Sequence, residues 1–384
     1  MTYRERQALV AEALIEHAGL ENLKDRELLP ALAEFVGEKY QGSNFSLSEK
    51  HKLSLQLFHT MRGLDILEPL LSDSSISEIM VNGPNDIFIE KSGKLEKIAL
   101  RFDDQEHLLR MISRCFGRAN RNISEQKPIG SLRFEDGSRL QAVLPPISTI
   151  GPVLSIRRFH SFKPCLSELI RLKSLTPEAA NYLAAAVKER KNIFVSGGTG
   201  SGKTSFLNAL SAAIPYNTRV ITIEDTAELD LQGIENLLRL EAREPGPDGE
   251  GAIDLESLIR LALRLRPDRI IVGEVRGKEA YAMIEAMRSG HPGSMSSGHA
   301  NSPKDMIERL AMLLLLRLNL PWEAILRMLY NTLDLIVHLE RLPNGLRQVH
   351  CIVAPYVHEQ SDFRLKILYQ RDYLGRLERL AEEV

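Results

Sequence analysis

The chain has 384 residues, 43% apolar and 26% charged, an ordinary globular composition that excludes wholesale disorder. At domain sizes of about 100–200 residues, this length predicts two or three domains. Lys and Arg (49) nearly balance Asp and Glu (51), and a formal net charge of −2 excludes the basic excess of a protein held mainly on nucleic-acid phosphates.

Residues 1–62 carry apolar side chains at helical spacing (Leu9, Ala13 and Ile15, then Leu53 and Leu57), interrupted by Gly42-Ser43-Asn44, which predicts a helical N-terminal extension. Glu5, Glu12 and Glu16 argue against a signal peptide at this end. Residues 63–160 change to short β-like runs. Ile87–Glu90 and Leu95–Leu100 flank the turn Ser92-Gly93, and Leu132–Phe134 and Arg139–Leu144 flank Asp136-Gly137, so two hairpins are expected. Glu106–Phe116 reads as a helix between them, Val153–Ile156 as a further strand, and Phe159–Pro164 as a linker. This is a small α/β domain.

Over residues 165–384 strands and helices alternate: strand Asn192–Ser196, helix Lys203–Ala213, strand Val220–Ile223, helix Leu255–Arg264, strand Arg269–Val272 and helix Lys278–Arg288. That order predicts a mostly parallel sheet covered on both faces. Glu244–Gly251 reads as a solvated acidic loop. The longest apolar run, Leu310–Leu316, falls far short of the roughly 20 residues that span a bilayer. Cys115, Cys165 and Cys351 are scattered without a C-x-x-C pair, which predicts neither a disulfide framework nor a structural zinc. The expectation is a soluble protein of a reducing compartment, brought to any membrane by a partner.

Gly197-Gly198-Thr199-Gly200-Ser201-Gly202-Lys203-Thr204 matches G-x-x-x-x-G-K-[ST], with an apolar strand before it and a helical pattern after it. Such a loop closes backbone N–H groups around phosphate oxygens at the positive end of a helix. Gly198, Thr199, Gly200, Ser201, Gly202, Lys203, Thr204 and Ser205 are the expected phosphate-binding residues, Lys203 reaching the β- and γ-phosphates and Thr204 the Mg²⁺. Two acidic clusters end apolar strands, where such sheets place ligands: Glu224-Asp225 with Glu228 beyond, and Gly273-Glu274 with Arg276 beyond. Small residues surround His299 in Gly290–Asn301, a pattern that lets backbone approach a nucleotide and favours a γ-phosphate sensor.

These elements, in this order, resemble the type II/type IV secretion ATPase superfamily: the Walker A loop, the Ile223-Glu224-Asp225 aspartate box, the Gly273-Glu274-x-Arg276 Walker B and the His299 histidine box. Glu78–Pro84, Asp136–Arg139, Leu144-Pro145-Pro146 and Ser155–Phe159 look like the CpaF-like branch, the motor of Tad/Flp tight-adherence pili. Related pilus-extension and type II motors often carry a tetracysteine zinc module after Walker B, and this chain has none.

The resemblance implies a small PAS-like N-terminal domain and a RecA-like ATPase domain. It implies a homohexamer that hydrolyses ATP with Mg²⁺ in the cytoplasm, peripheral to the inner face of the membrane and partnered by a pilus or secretion platform protein. It also implies that Arg139 and Arg157, with Arg158 beside them, reach the phosphates from the small domain. Glu224 becomes the favoured general base and Glu274 a metal-shell ligand, although spacing alone does not divide those roles. A DNA-translocating RecA-like ATPase and a nucleotide-switched scaffold without turnover are the rival classes. The near-neutral charge speaks against the first, and Lys203, Glu224 and Glu274 together speak against the second.

Overall fold

The structure, a computed structural model, describes residues 2–17, 19–91, 93–158, 165–243, 245, 250–358, 362–372 and 375–380. It divides into two compact units, Met1–His160 and Ser161–Val384. The expected linker Phe159–Pro164, the turn residue Ser92 and most of the expected loop Glu244–Gly251 lie outside the described residues.

The first unit opens with α1 (Tyr3–Glu16), α2 (Asp25–Lys39) and α3 (Leu47–Met61). Thr2 and Ser46 start α1 and α3 with capping boxes closed by Glu5 and Glu49. Residues at i, i+4 spacing form their shared core: Leu9 and Ala13, Leu28 and Leu32, Leu53 and Leu57. Ile15, expected on this apolar stripe, is 83% exposed. Two residues beyond Ala13, it has turned about 200° around the helix, away from the core.

A short α4 (Glu68–Ser72) leads into β1 (Ile76–Asn82), β2 (Ile87–Lys91) and β3 (Lys94–Ile98). Then follow α5 (Gln105–Arg118), β4 (Ile129–Arg133), β5 (Arg139–Val143) and β6 (Val153–Arg157). The strands form one antiparallel sheet ordered β3-β2-β1-β6-β5-β4. Both expected hairpins are present, as β2–β3 and β4–β5. The sequence reading passed over β1, a central strand whose Ile-Ser-Glu-Ile-Met-Val-Asn run lacks clean alternation. Leu108, Met111, Ile112 and Phe116 of α5 pack with Ile79, Val81, Leu140 and Ile156 of the sheet.

A buried polar cluster ties α1 to α5. Arg6 Nη2 donates to Asp65 Oδ1 at 3.0 Å, and His107 Nε2 lies 2.8 Å from Asp65 Oδ2. The Tyr3 ring stacks on His107 at 3.7 Å between centroids. Asp65 takes a left-handed φ of +51°, which costs energy for a residue with a Cβ and is held here by the surrounding contacts. Burial alone would push its carboxyl up, but the His107 hydrogen bond and the Arg6 charge hold it below its ordinary value.

The second unit runs α6 (Leu166–Arg171), α7 (Pro177–Lys188), β7 (Ile193–Gly197), α8 (Lys203–Ser211), β8 (Val220–Glu224) and β9 (Leu237–Glu241). It continues through α9 (Leu255–Ala262), β10 (Arg269–Val272), α10 (Glu279–Arg288), β11 (Met295–Gly298), α11 (Pro303–Leu315) and α12 (Trp322–Tyr330). It closes with β12 (Leu335–Arg341), β13 (Arg347–His358), β14 (Asp362–Arg371) and β15 (Leu377–Arg379). These strands make a nine-stranded sheet ordered β15-β14-β13-β12-β7-β11-β10-β8-β9. It is parallel from β12 to β9 and antiparallel from β13 to β15.

One face packs on α9 to α12 and the other on α7 and α8, so the inner strands are apolar on both sides. This is a RecA-like α/β domain following a small N-terminal α/β unit. The segment around β11 reads in sequence as a cluster of small residues, yet it is a fully buried central strand. Ser296 and Ser297 survive there because their hydroxyls donate to Val272 O at 2.9 Å and Gly273 O at 2.7 Å. No described helix is long and apolar enough to cross a membrane.

Replacing Asp65 by Ala leaves a buried guanidinium without its carboxylate, so the full chain should lose about 3 kcal/mol or more in chemical denaturation. Because the folded carboxyl titrates below its ordinary value of about 4, the stability it contributes is present above that pH and lost as pH falls below it. Asp65→Ala should therefore flatten the acid limb of the stability profile. Equal stability of variant and parent across pH would remove Asp65 from this role.

Candidate functional site

The glycine loop joins β7 to α8 at the C-terminal edge of the parallel strands, where helix N-termini and open backbone favour anions. Its path needs glycine: Gly200 and Gly202 have φ of +70° and +94°. At Gly197 an added Cβ would stand 2.5 Å from Leu339 O on the neighbouring β12.

Lys203, the first residue of α8, turns its ammonium back into this loop. Nζ donates to Gly197 O at 3.1 Å and Gly198 O at 3.0 Å, and lies 3.2 Å from His299 Nδ1. An ammonium only donates, so His299 Nδ1 accepts, and the proton of the neutral ring sits on Nε2. That Nε2 is 2.8 Å from Glu274 Oε1, while Arg276 Nη2 donates to Glu274 Oε2 at 2.6 Å. Lys203, His299, Glu274 and Arg276 are thus one continuous chain of contacts from β7 across β11 to β10. Arg309 of α11 fixes the backbone of His299 through its carbonyl at 3.1 Å.

Electrostatics follow from this crowding. Burial lowers the Lys203 ammonium below its ordinary value, opposed by the Glu274 charge. Burial also lowers His299, and the neighbouring Lys203 charge adds to the effect, so the imidazole is neutral near pH 7. The hydrogen bond to Glu274 and the charge of that carboxylate raise Arg276.

Glu224 is buried at the end of β8, and its Oε1 accepts the backbone N–H of Glu228 and Leu229, each at 2.9 Å. It thereby holds the loop that presents Glu228, whose Oε2 accepts from Thr204 Oγ1 at 3.4 Å. Gly273 explains the Gly-Glu ending of β10: an added Cβ there would lie 2.9 Å from Glu224 Cγ, so a side chain would displace the carboxylate. Within the glycine loop, Ser201 Oγ is buried without a hydrogen-bond partner. An orphaned hydroxyl in the loop fits a site that is completed by a ligand's polar atoms. Thr199 is exposed, while Thr204 and Ser205 lie half-buried on the first turn of α8.

In the first unit, Arg139 pairs in register with Arg133 of β4 on one side and Arg157 of β6 on the other, a row of three arginines on adjacent strands. Arg158 differs. Its Nη1 donates to the carbonyls of Asp73 and Ile76, which ties it to the backbone of its own unit. The site roles read in sequence did not include Glu228, Arg276, Arg309 or Arg133. Arg276 and Glu228 were visible beside the strand-end acids, whereas Arg309 and Arg133 carry no local signal.

A glycine loop between a parallel strand and its helix, faced by acids on neighbouring strand ends, defines a P-loop protein of the RecA-like class. The sequence matches the family model of the type II/IV secretion system proteins over residues 60–365, and the chain belongs to that family. A putative conjugal transfer protein of Mycobacterium tuberculosis is 34% identical over 297 residues, covering 75% of this chain and 83% of the relative. The type IV secretion system protein VirB11 of Brucella suis is 35% identical over 303 residues, covering 72% of this chain and 84% of the relative. Among solved structures the ATPase DotB of Legionella pneumophila has the same fold, with a TM-score of 0.55 at 21% identity over 75% of this chain and 79% of that one.

The neutral His299 generates a pH prediction. Its folded value is lowered, so the stability linked to the neutral ring is present above its ordinary pKa of about 6.5 and lost as pH falls below it. His299→Asn should show a smaller drop in thermal midpoint than the parent between pH 7.5 and 5.5. Parallel pH profiles would show that the ring is not held neutral.

Proposed function

We propose that this chain is an ATP-hydrolysing motor of a secretion or pilus-assembly machine. The observation that carries the reading is the contact chain Lys203–His299–Glu274, which joins the phosphate loop to a strand-end carboxylate. Such a chain lets occupancy of the loop by a terminal phosphate be felt at β10 and β11. Membership of the secretion family and the fold shared with an ATPase support the same reading.

In this reading Gly198–Ser205 surround the β- and γ-phosphates and Lys203 exchanges its carbonyl and imidazole partners for phosphate oxygens. His299, relieved of the Lys203 ammonium, turns its Nε2–H from Glu274 to the γ-phosphate and reports it. Thr204 and Glu274 hold the Mg²⁺, which when bound neutralises charge on the β- and γ-oxygens. Glu224, fixed by two backbone N–H groups, orients the attacking water and takes its proton. Arg139 and Arg157 of the first unit neutralise the transferring phosphoryl group from across a domain or subunit boundary, so that turnover drives domain motion. Arg158, already bound to backbone carbonyls, contributes to the fold of its unit in place of the phosphate site.

The finer reading is a homohexamer at the cytoplasmic face of the inner membrane, acting on a platform protein, with the Tad/Flp branch favoured by the small-domain motifs. Residues 1–62, 63–160 and 165–384 then divide into extension, small PAS-like domain and motor domain.

Lys203→Ala should abolish ATP turnover. Glu224→Gln should bind ATP yet hydrolyse it at least about a hundredfold more slowly, since general acid–base contributions run about 10²–10⁴, and Glu274→Gln should also bind ATP but lose turnover through a weakened metal shell. Retention of normal turnover by Lys203→Ala in a phosphate-release assay would refute the site. For the ring, Arg139→Ala and Arg157→Ala should lower turnover more than ATP binding, and light scattering with a non-hydrolysable analogue should give a hexamer. A monomer with full activity, indifferent to both arginines, would leave a P-loop ATPase without the ring mechanism.

A further inference from the structure

The hairpin that joins β12 to β13 reaches the glycine loop from the flank opposite the carboxylates. β12 runs parallel to β7 with Leu339 in register with Gly197, so Arg341 extends beyond the start of the loop. Arg341 pairs directly with Arg347 across the hairpin. The turn between them is fixed by Leu342 N–H to Leu346 O and Gly345 N–H to Leu342 O, both 2.8 Å. A Cβ at Gly200 would stand 3.2 Å from Arg341 Nη1, and one at Gly202 would stand 3.3 Å from Arg347 Cδ. Both side chains therefore lie against the loop itself, on a braced two-stranded arm.

Strand order decides which part of a ligand they meet. Along the sheet edge the sequence is β13, β12, β7, β11, β10, β8, with the arginine pair on one side of the loop and His299, Glu274 and Glu224 on the other. A nucleotide whose γ-phosphate lies by His299 and Glu274 must direct its α-phosphate and nucleoside elsewhere, because the acids of β10 and β8 repel the remaining negative charge. The β12–β13 flank is the cationic alternative. Guanidinium also matches phosphate geometry with paired N–H donors.

We propose that Arg341 and Arg347 form a clamp for the α-phosphate end of a nucleoside di- or triphosphate, setting nucleotide affinity from within the motor unit. The inference rests on the nucleotide-site reading above. A contact to the α-phosphate is shared by ADP and ATP, so its removal weakens both equally.

The test measures Mg-ADP and a non-hydrolysable Mg-ATP analogue by calorimetry on the full chain, comparing parent, Arg341→Gln, Arg347→Gln, the double variant and Lys203→Ala. The double variant should lose about tenfold or more in affinity for both nucleotides, with an unchanged ratio between them, as expected for losing charge-assisted hydrogen bonds. Its nucleotide-free thermal midpoint should fall by no more than two exposed substitutions cost, a few degrees, because both arginines are exposed. Parental affinity in the double variant overturns the clamp. Loss confined to the ATP analogue also overturns it, by moving the arginines to the terminal phosphate. A nucleotide-free midpoint lowered well beyond that assigns them to holding the loop and overturns it as well. If Lys203→Ala keeps parental affinity, or the parent binds neither nucleotide, the nucleotide-site reading fails and takes the clamp with it.

Discussion

An ammonium group enclosed by its own loop organises this protein's second unit. Lys203 is buried, and burial disfavours its charge, so the charge persists only where oxygen and nitrogen acceptors replace water. Gly197 and Gly198 supply carbonyls and His299 supplies a ring nitrogen. Each of those partners belongs to a different constraint: the carbonyls to the glycine loop, the histidine to the end of β11. Gly298, just before His299, follows from local packing, since an added Cβ there would stand 2.9 Å from Met306 Cε and 3.1 Å from Phe194 Cε1.

The acids depend on comparable economy of space. Glu224 crosses over Gly273, and its carboxylate is fixed by backbone donors of the loop that follows β8. Glu274 lies one residue farther along β10, against His299 and Arg276. Two carboxylates that look equivalent in sequence thus differ in surroundings: one is held by neutral N–H groups and the other by cationic or ring partners. That contrast separates them more than strand position does: Glu224 braces the loop after β8, whereas Glu274 links His299 and Arg276.

In the first unit, the constraint is a buried carboxylate in place of an ammonium. Asp65 collects Arg6 from α1 and His107 from α5, so the helical segment is joined to the small α/β sheet by charge and stacking as well as by apolar contact. The same unit carries the row Arg133, Arg139 and Arg157 on three adjacent strands. Antiparallel register brings these residues together from separated stretches of sequence, and it turns Arg158 to the backbone instead.

The sequence by itself determined what depends on local spacing. Phosphate loops, strand-end acids, the two hairpins of the small domain and the alternation of strands with helices all follow from residues within a few positions of one another, so their patterns survive without a fold. The parallel α/β class followed from that alternation. Tertiary structure decided whatever required distant segments to meet. Met295–Gly298 became a strand because neighbouring strands on both sides satisfied its backbone and its hydroxyls, which outweighed weak local β preference. Ile15 went to solvent because the helical turn, and not apolarity, selects the buried face. Arg341 and Arg347 came to the glycine loop through sheet order, more than a hundred residues after it in the chain. Long-range register has no signature in a single local window, and it is register that assembled the site.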